Sequence, residues 1–370
     1  MVTAETLLAG PRGRRLCWTL LWHGLAHDVR QPDSWIQVWQ AVHSGDLSGC
    51  LDAFSSCVAW ADPAALAADP ATVFEALGAA VSEARYWQEP DAEDQALAAA
   101  EVGEALRPIA SAVAEAPESG WWTSPVDRGR QRYAQFLGDR PFDEPNRSGS
   151  AQRVAAWRAD TVRREESLRG RDTEPLGAWS GHWWSDPAMS GLPVTTRALP
   201  GLGAARLTLV EDGHGWKSAR CWPLTPRAGA RVYEVDGPAA WASLVTRYPL
   251  DVSRSRRHDW WRATGWTGRW LIPDYQAVAV DYDAVHVSVL GYLTTAGVAI
   301  QAGADGEART LLAGWDPDAT WWLTDALAPA GPPENWVADD SAGNGWHAAG
   351  LADARRVRRR RGGGRRRRGW

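Results

Sequence analysis

The sequence predicts an α+β protein. It has an N-terminal all-α domain, then a mixed or antiparallel β-sheet domain with a few helices, and a disordered arginine-rich tail. Three observations carry this. Apolar residues recur at three-to-four spacing through residues 1–116. From about Pro193 the pattern switches to period two with β-branched residues. The end of the chain, RRVRRRRGGGRRRRGW, holds ten arginines and no acid.

Taken in order, RLCWTLLWHGLAHDV, SWIQVWQAV, DLSGCLDAFSSCVAWA and ATVFEALGAAVSEARYW each present one apolar stripe. Helix starts are marked at Asp33-Ser34 and at Asp69-Pro70, a capping oxygen ahead of the first turn. ALAAAEVGEALRPIASAVAEA has few large residues and reads as an outer helix. Residues 117–193 form a connecting region rich in Gly, Pro, Ser and Trp, with one helix in SAQRVAAWRADTVRREESLRG. In the sheet domain, 194–328, strands are expected in PVTTRAL, ARLTLVE, ARVYEVD, AVHVSVLGYL and ATWWLTD. Helices are expected in PAAWASLVTRY and DYQAVAVDY, the latter led by Pro273. Residues 329–370 lack periodicity and read as disordered.

Tryptophan is over-used: 25 against 4 Phe and 7 Tyr. Lysine occurs once, at Lys217, so the basic residues are nearly all arginine. GC-rich coding explains both biases and would place Trp where other cores use Phe. It explains less well four adjacent pairs, in SGWWTSP, SGHWWSDP, RHDWWRATG and DATWWLTD. On a strand such a pair puts one ring on each face of the sheet. In Gly/Ser/Pro-rich loops it staples the loop to the body.

The net charge of −5 conceals two opposed parts, because residues 1–354 hold 30 basic against 45 acidic residues. An acidic body repels phosphate backbones, so only residues 355–370 are expected to make weak, non-specific contact with nucleic acid. Cys17, Cys50, Cys57 and Cys221 are too scattered for a disulfide framework and read as buried thiols. The absence of a signal pattern and of a long apolar run points to a cytoplasmic, non-membrane protein.

Candidate chemistry clusters in five places. His23 and His27 of HGLAH lie one helical turn apart and could share a metal, but no third ligand is near, so no metal site is assigned. SRSRRHDWWRATGWTGRW offers Arg254, Arg256 and Arg257 for an anion and Trp260 and Trp261 for stacking, with His258 and Asp259 as a base and its orienter. The competing reading there is a solvent-facing loop whose arginines cover indole rings. GWDPDATWWL adds Trp315 and Trp322, and its Asp316 and Asp318 read as a turn that satisfies its own backbone. Arg231 in ARVYEVD, with Glu307 downstream, sketches a transferase strand pattern.

In YDAVHVSVLGYL, Asp283 and His286 resemble the C-terminal Asp-His block of the SGNH/GDSL hydrolases. That resemblance implies His286 as a base oriented by Asp283 and acting on a serine nucleophile. The matching Gly-Asp-Ser block is missing, since SGDLSGC has Leu47 at the nucleophile position, and the likeness spans about ten residues. The residues therefore point first to a non-catalytic binding or interaction protein. Its Trp/Arg-lined cleft would take an anionic or sugar-like small ligand, or a protein partner. The alternative is an enzyme, a hydrolase or an ADP-ribosyl- or glycosyl-type transferase, using a His/Asp pair in the same cleft. No cofactor is specified.

Overall fold

The structure, a computed structural model, describes residues 1–26, 34–44, 47–137, 143–171, 174–338 and 345–349. Its N-terminal layer is built from α1 (Ala4–Ala9), α2 (Pro11–Ala26), α3 (Ser34–Ser44), α4 (Leu47–Trp60), α5 (Pro63–Ala67), α6 (Pro70–Ser82), α7 (Ala92–Ala98), α8 (Ala100–Ala105) and α9 (Arg107–Glu115). Capping explains the starts. Asp62, Asp69 and Asp91 each accept a hydrogen bond from a first-turn N–H, and Pro63 and Pro70 occupy positions where that N–H is dispensable. Cys50 and Cys57 are buried on α4, and Cys17 and Cys221 are likewise buried free thiols.

The rest of the chain runs β1 (Gln131–Phe136), α10 (Ser150–Ser167), β2 (Val194–Leu199), β3 (Gly203–Ala204), β4 (Ser218–Pro226), β5 (Val232–Val235), α11 (Pro238–Arg247) and β6 (Pro249–Asp251). It continues through α12 (Ser253–Thr264), β7 (Leu271–Pro273), α13 (Tyr275–Asp281), β8 (Ala284–Val287), α14 (Val289–Thr295), β9 (Ile300–Ala302) and β10 (Ala308–Thr310). It ends in β11 (Thr320–Trp322), β12 (Leu327–Pro329), β13 (Glu334–Ala338) and β14 (Trp346–Ala348). The main sheet has the order β14-β13-β4-β1-β2-β11-β8-β5, with β12 also on β4 and β3 on β2. Every pairing in it is antiparallel except β5 with β8, so the sheet is mixed and the fold is α+β. One hydrophobic core runs from Leu7 and Leu16 in the helical layer through Val285 and Val287 to Leu312. Six tryptophans (Trp18, Trp122, Trp241, Trp260, Trp270 and Trp315) are among its largest fully buried side chains, and Trp322 is fully buried in a smaller cluster with Leu224, Ala284 and Leu327.

Four local expectations are corrected. QRYAQF, inside the presumed connecting region, is β1, a central strand paired on both sides. Its sequence is mostly polar, and neighbours rather than propensity hold it. ARLTLVE is not a strand: Ala205–Leu207 is a short 3-10 turn, and the chain then bends so that Glu211 points inward. AVHVSVLGYL is a strand only to Val287. Ser288 then caps α14, its Oγ accepting from the Gly291 N–H at 3.0 Å. A Cβ on Gly291 would lie 2.2 Å from the Val235 carbonyl oxygen, so only glycine lets α14 start against the end of β5. Finally, structure extends past Pro329, because β13 and β14 continue the sheet. The arginine tract 355–370 lies outside the described residues, as do His27 and Asp33. Among the described residues no helix is long and apolar enough to cross a membrane.

Candidate functional site

The stretch SGHWWSDP forms the centre of the site. Residues 181–185 are neither helix nor strand, yet their backbone is held at nearly every step. Asp259 accepts from the N–H groups of Gly181 (3.0 Å) and His182 (3.3 Å). Trp260 Nε1 donates to the Trp183 carbonyl at 2.7 Å, and Arg256 donates through Nε and Nη2 to the Trp184 carbonyl. Ser185 exchanges hydrogen bonds with Ala313, and the Tyr275 hydroxyl donates to the Ser185 carbonyl. Residues 256, 259 and 260 share one face of α12, the i, i+3, i+4 spacing that lets one helix grip an extended segment along its length.

This fixes where the sequence candidates lie. Trp260 and Asp259 are fully buried and Arg256 is 6% exposed, so they are the mount of the loop and do not form an open, stacking cleft. The stretch read as a solvent-facing loop is therefore a helix facing inward. Arg257 donates to the Glu174 carbonyl, and Arg254 gives its N–H to Glu165. Trp261 packs near Gly177. His258 is buried against Trp179, its ring 4.6 Å away, and burial followed by Arg257 lowers its pKa. Trp315 is enclosed beside Trp241, and Trp322 is enclosed with Nε1 donating to Thr195 Oγ1 at 2.8 Å. These residues are not brought into one concave surface.

His286 and Asp283 are not partners either, since three residues along a strand they project from opposite faces. Asp283 accepts from Arg227, the Arg231 N–H and Thr324. Burial would raise its pKa, but these donors outweigh it and leave the carboxyl below its ordinary range. His286 is fully buried and bridges Glu234 (Nδ1, 2.5 Å) and Asp318 (Nε2, 3.3 Å). Asp318, at 1% exposure, pairs with Arg197 at 2.7 Å, and Arg197 lies over the Trp121 ring at 4.7 Å. Glu234, His286, Thr320 and Thr195 are in register across four strands, a polar row that residues 121–126 of the first tryptophan pair cover through Arg197–Pro125 and Val126–Glu234 hydrogen bonds. The Asp-Pro-Asp turn is likewise not a solvent turn, because Asp316 pairs with Arg206 at 2.6 Å and is 7% exposed. Arg231 and Glu307 are both exposed, Arg231 just ahead of β5 and Glu307 just ahead of β10. His23 is in α2 with His27 outside the described residues; among the described residues no group of three or more His, Cys, Asp or Glu could hold a metal ion.

Two cavities open on either part of the 182–190 loop and share Trp184, Asp186 and Met189 in their walls. The first, about 230 Å³, is lined by Arg153, Arg164, Arg256, His182 and Trp157. Arg256 has no carboxylate in ion-pair contact among the described residues; its guanidinium bonds only the Trp184 carbonyl and Ser255. Burial lowers its pKa to about 10. His182 Nε2 is buried without a hydrogen-bond partner among the described residues. Burial, then Arg256 and Arg164, lowers the His182 pKa to about 4, so the ring is neutral in a positive field. The second cavity, about 300 Å³, is lined by Trp183, Trp216 and Trp321 with Glu211 and Asp316. Asp186 and Glu211 are 5% and 7% exposed, and burial holds both carboxyls well above their ordinary range.

The sequence reading missed Asp186, Glu211, Arg206, Arg164 and Trp216. The available signal was the fixed order Trp-Trp-Ser-Asp-Pro, in which a serine that pins the backbone precedes an acid. Fold and site together define an α+β protein with a loop-centred, tryptophan-walled pair of cavities. Comparison with known protein families, curated proteins and solved structures finds no match for this chain.

Proposed function

We propose that this protein binds a small anionic, sugar-like ligand, with the anionic group in the cavity between α10 and the 182–190 loop. The observation that carries the reading is Arg256, a buried guanidinium with no carboxylate in ion-pair contact among the described residues. A buried cation with no carboxylate in direct contact, on which Glu165, Asp186 and Asp259 act only at longer range, is costly, and an incoming phosphate or carboxylate lowers that cost. Arg164 and Arg153 at the same cavity add charge, and neutral His182 offers Nε2 to a ligand hydroxyl. The half-buried indole of Trp184 supplies an apolar face for a ring.

The test is thermal unfolding of the full chain with inorganic phosphate, a hexose phosphate and the matching free hexose. Ligand at a hundred times its dissociation constant adds about 2.7 kcal/mol of stability. The expected order is hexose phosphate above phosphate, with the free hexose near zero. Arg164→Gln, at an exposed position, should weaken binding by roughly tenfold, the equivalent of one charge-assisted contact. Equal shifts for the hexose and its phosphate, or no change in the Arg164→Gln protein, would count against the reading.

A further inference from the structure

We propose that the second cavity, walled by Trp183, Trp184, Trp216 and Trp321, is a second binding site, adjoining the anion cavity through Trp184 and Asp186, for a small organic ammonium ion received by Asp186 and Glu211. Four half-buried indoles converge on about 300 Å³. Trp216 has one face stacked on Phe136 at 4.4 Å and 13°, which fixes its plane. Indole faces attract weakly hydrated cations most strongly when water is excluded. Carboxylates in the same wall supply the counter-charge.

The local cation does not fill that role. Arg206 is committed to Asp316 at 2.6 Å and to the Ala134 carbonyl. Among the described residues no cation pairs with Asp186 or Glu211. Glu211 accepts from the Tyr292 hydroxyl at 2.9 Å and from the Gly314 N–H at 2.5 Å. Asp186 accepts from the Ala188 N–H through Oδ1 alone, and its Oδ2 has no donor among the described residues. A carboxyl 95% enclosed, with one oxygen lacking a protein donor among the described residues and facing an aromatic basin, is a receptor group for a cation.

Binding then carries a proton balance. Burial raises the pKa of both acids, which favours their protonated forms; a bound ammonium favours the charged forms, so any proton it displaces passes to solvent. The titratable and charged groups facing Asp186 are Asp316, Arg206, Arg256 and Tyr275, and those facing Glu211 are Tyr292, Tyr86, Asp316 and Asp186, with Asp212 and His214 at the rim. Affinity therefore strengthens as pH rises.

The experiment is a titration of the full chain with tetramethylammonium chloride, followed by tryptophan fluorescence at constant ionic strength, with potassium chloride and magnesium chloride as controls. A saturable change with tetramethylammonium alone is expected, tightening from pH 5 to pH 8 and still doing so in His214→Gln. Asp186→Asn should abolish it, and Trp216→Leu should weaken it by roughly tenfold. Arg164→Gln should leave it unchanged, which separates this site from the anion cavity. No saturable change, an equal response to potassium, a flat pH profile, or full retention in both Asp186→Asn and Trp216→Leu would overturn the proposal.

Discussion

Replacing His286 with glutamine should change how stability depends on pH, not merely lower it. The imidazole is fully enclosed between Glu234 and Asp318, so both ring nitrogens donate and the ring is held as a cation. Burial works against that charge, but hydrogen bonds to Asp318 and Glu234 and their charges outweigh it and raise the pKa from 6.5 to about 9. A folded-state pKa above the unfolded value means the stabilisation is complete below about pH 6.5 and is lost as pH rises through about 9. At about 1.36 kcal/mol per pH unit, that interval corresponds to about 3 kcal/mol. Equilibrium urea unfolding of the parent and His286→Gln proteins would measure it. The difference in unfolding free energy should be about 3 kcal/mol near pH 6 and shrink to less than about 1 kcal/mol by about pH 9.5. A difference that stays constant across that range would refute the charged, bridging histidine.

Two further outcomes follow from the loop mount. Asp259→Ala removes a fully buried acceptor of two backbone N–H groups and the carboxylate 3.1 Å from Arg262, leaving that guanidinium only backbone carbonyls and the more distant Glu89 at 4.0 Å. Breaking a buried pair of this kind costs about 3–5 kcal/mol, and a loss under about 1 kcal/mol in urea unfolding would show that α12 does not hold the loop. Gly314 has φ +82°, and a Cβ there would meet Trp184 Cδ1 at 2.7 Å and Asp186 Oδ1 at 3.3 Å. Gly314→Ala should cost about 1–3 kcal/mol and displace the Trp184 ring, read as a shift in tryptophan emission; an unshifted spectrum with unchanged stability would contradict this packing.

How much of this could be read from the sequence depended on whether the signal was local. The helical layer was legible because Asp69-Pro70 and similar caps are written in adjacent residues. The Trp321-Trp322 pair was legible for the same reason: strand alternation puts Trp322 in the core and Trp321, half-buried, in the wall of the aromatic cavity. β1 was not legible, because Gln131 and Arg132 owe their strand conformation to β2 and β4, far along the chain. The densest run of arginine and tryptophan drew attention to α12, whose side chains turn inward to hold another segment. The groups left facing the cavities, Asp186 and Glu211, lie in runs with little pattern, and only folding brings them near Trp216 and Trp321.

The way the 181–185 segment is mounted has an evolutionary consequence. Asp259, Trp260, Arg256 and Tyr275 all take hold of peptide N–H and carbonyl groups, which every residue type other than proline presents alike. The grip is therefore indifferent to what the loop carries at 182, 183 and 184. Side chains at those three positions can be exchanged while the path of the chain is kept, so the loop works as an interchangeable fitting on a fixed bracket. Ligand preference in this architecture can drift, or be redesigned, by changing the loop's side chains without rebuilding the fold beneath it.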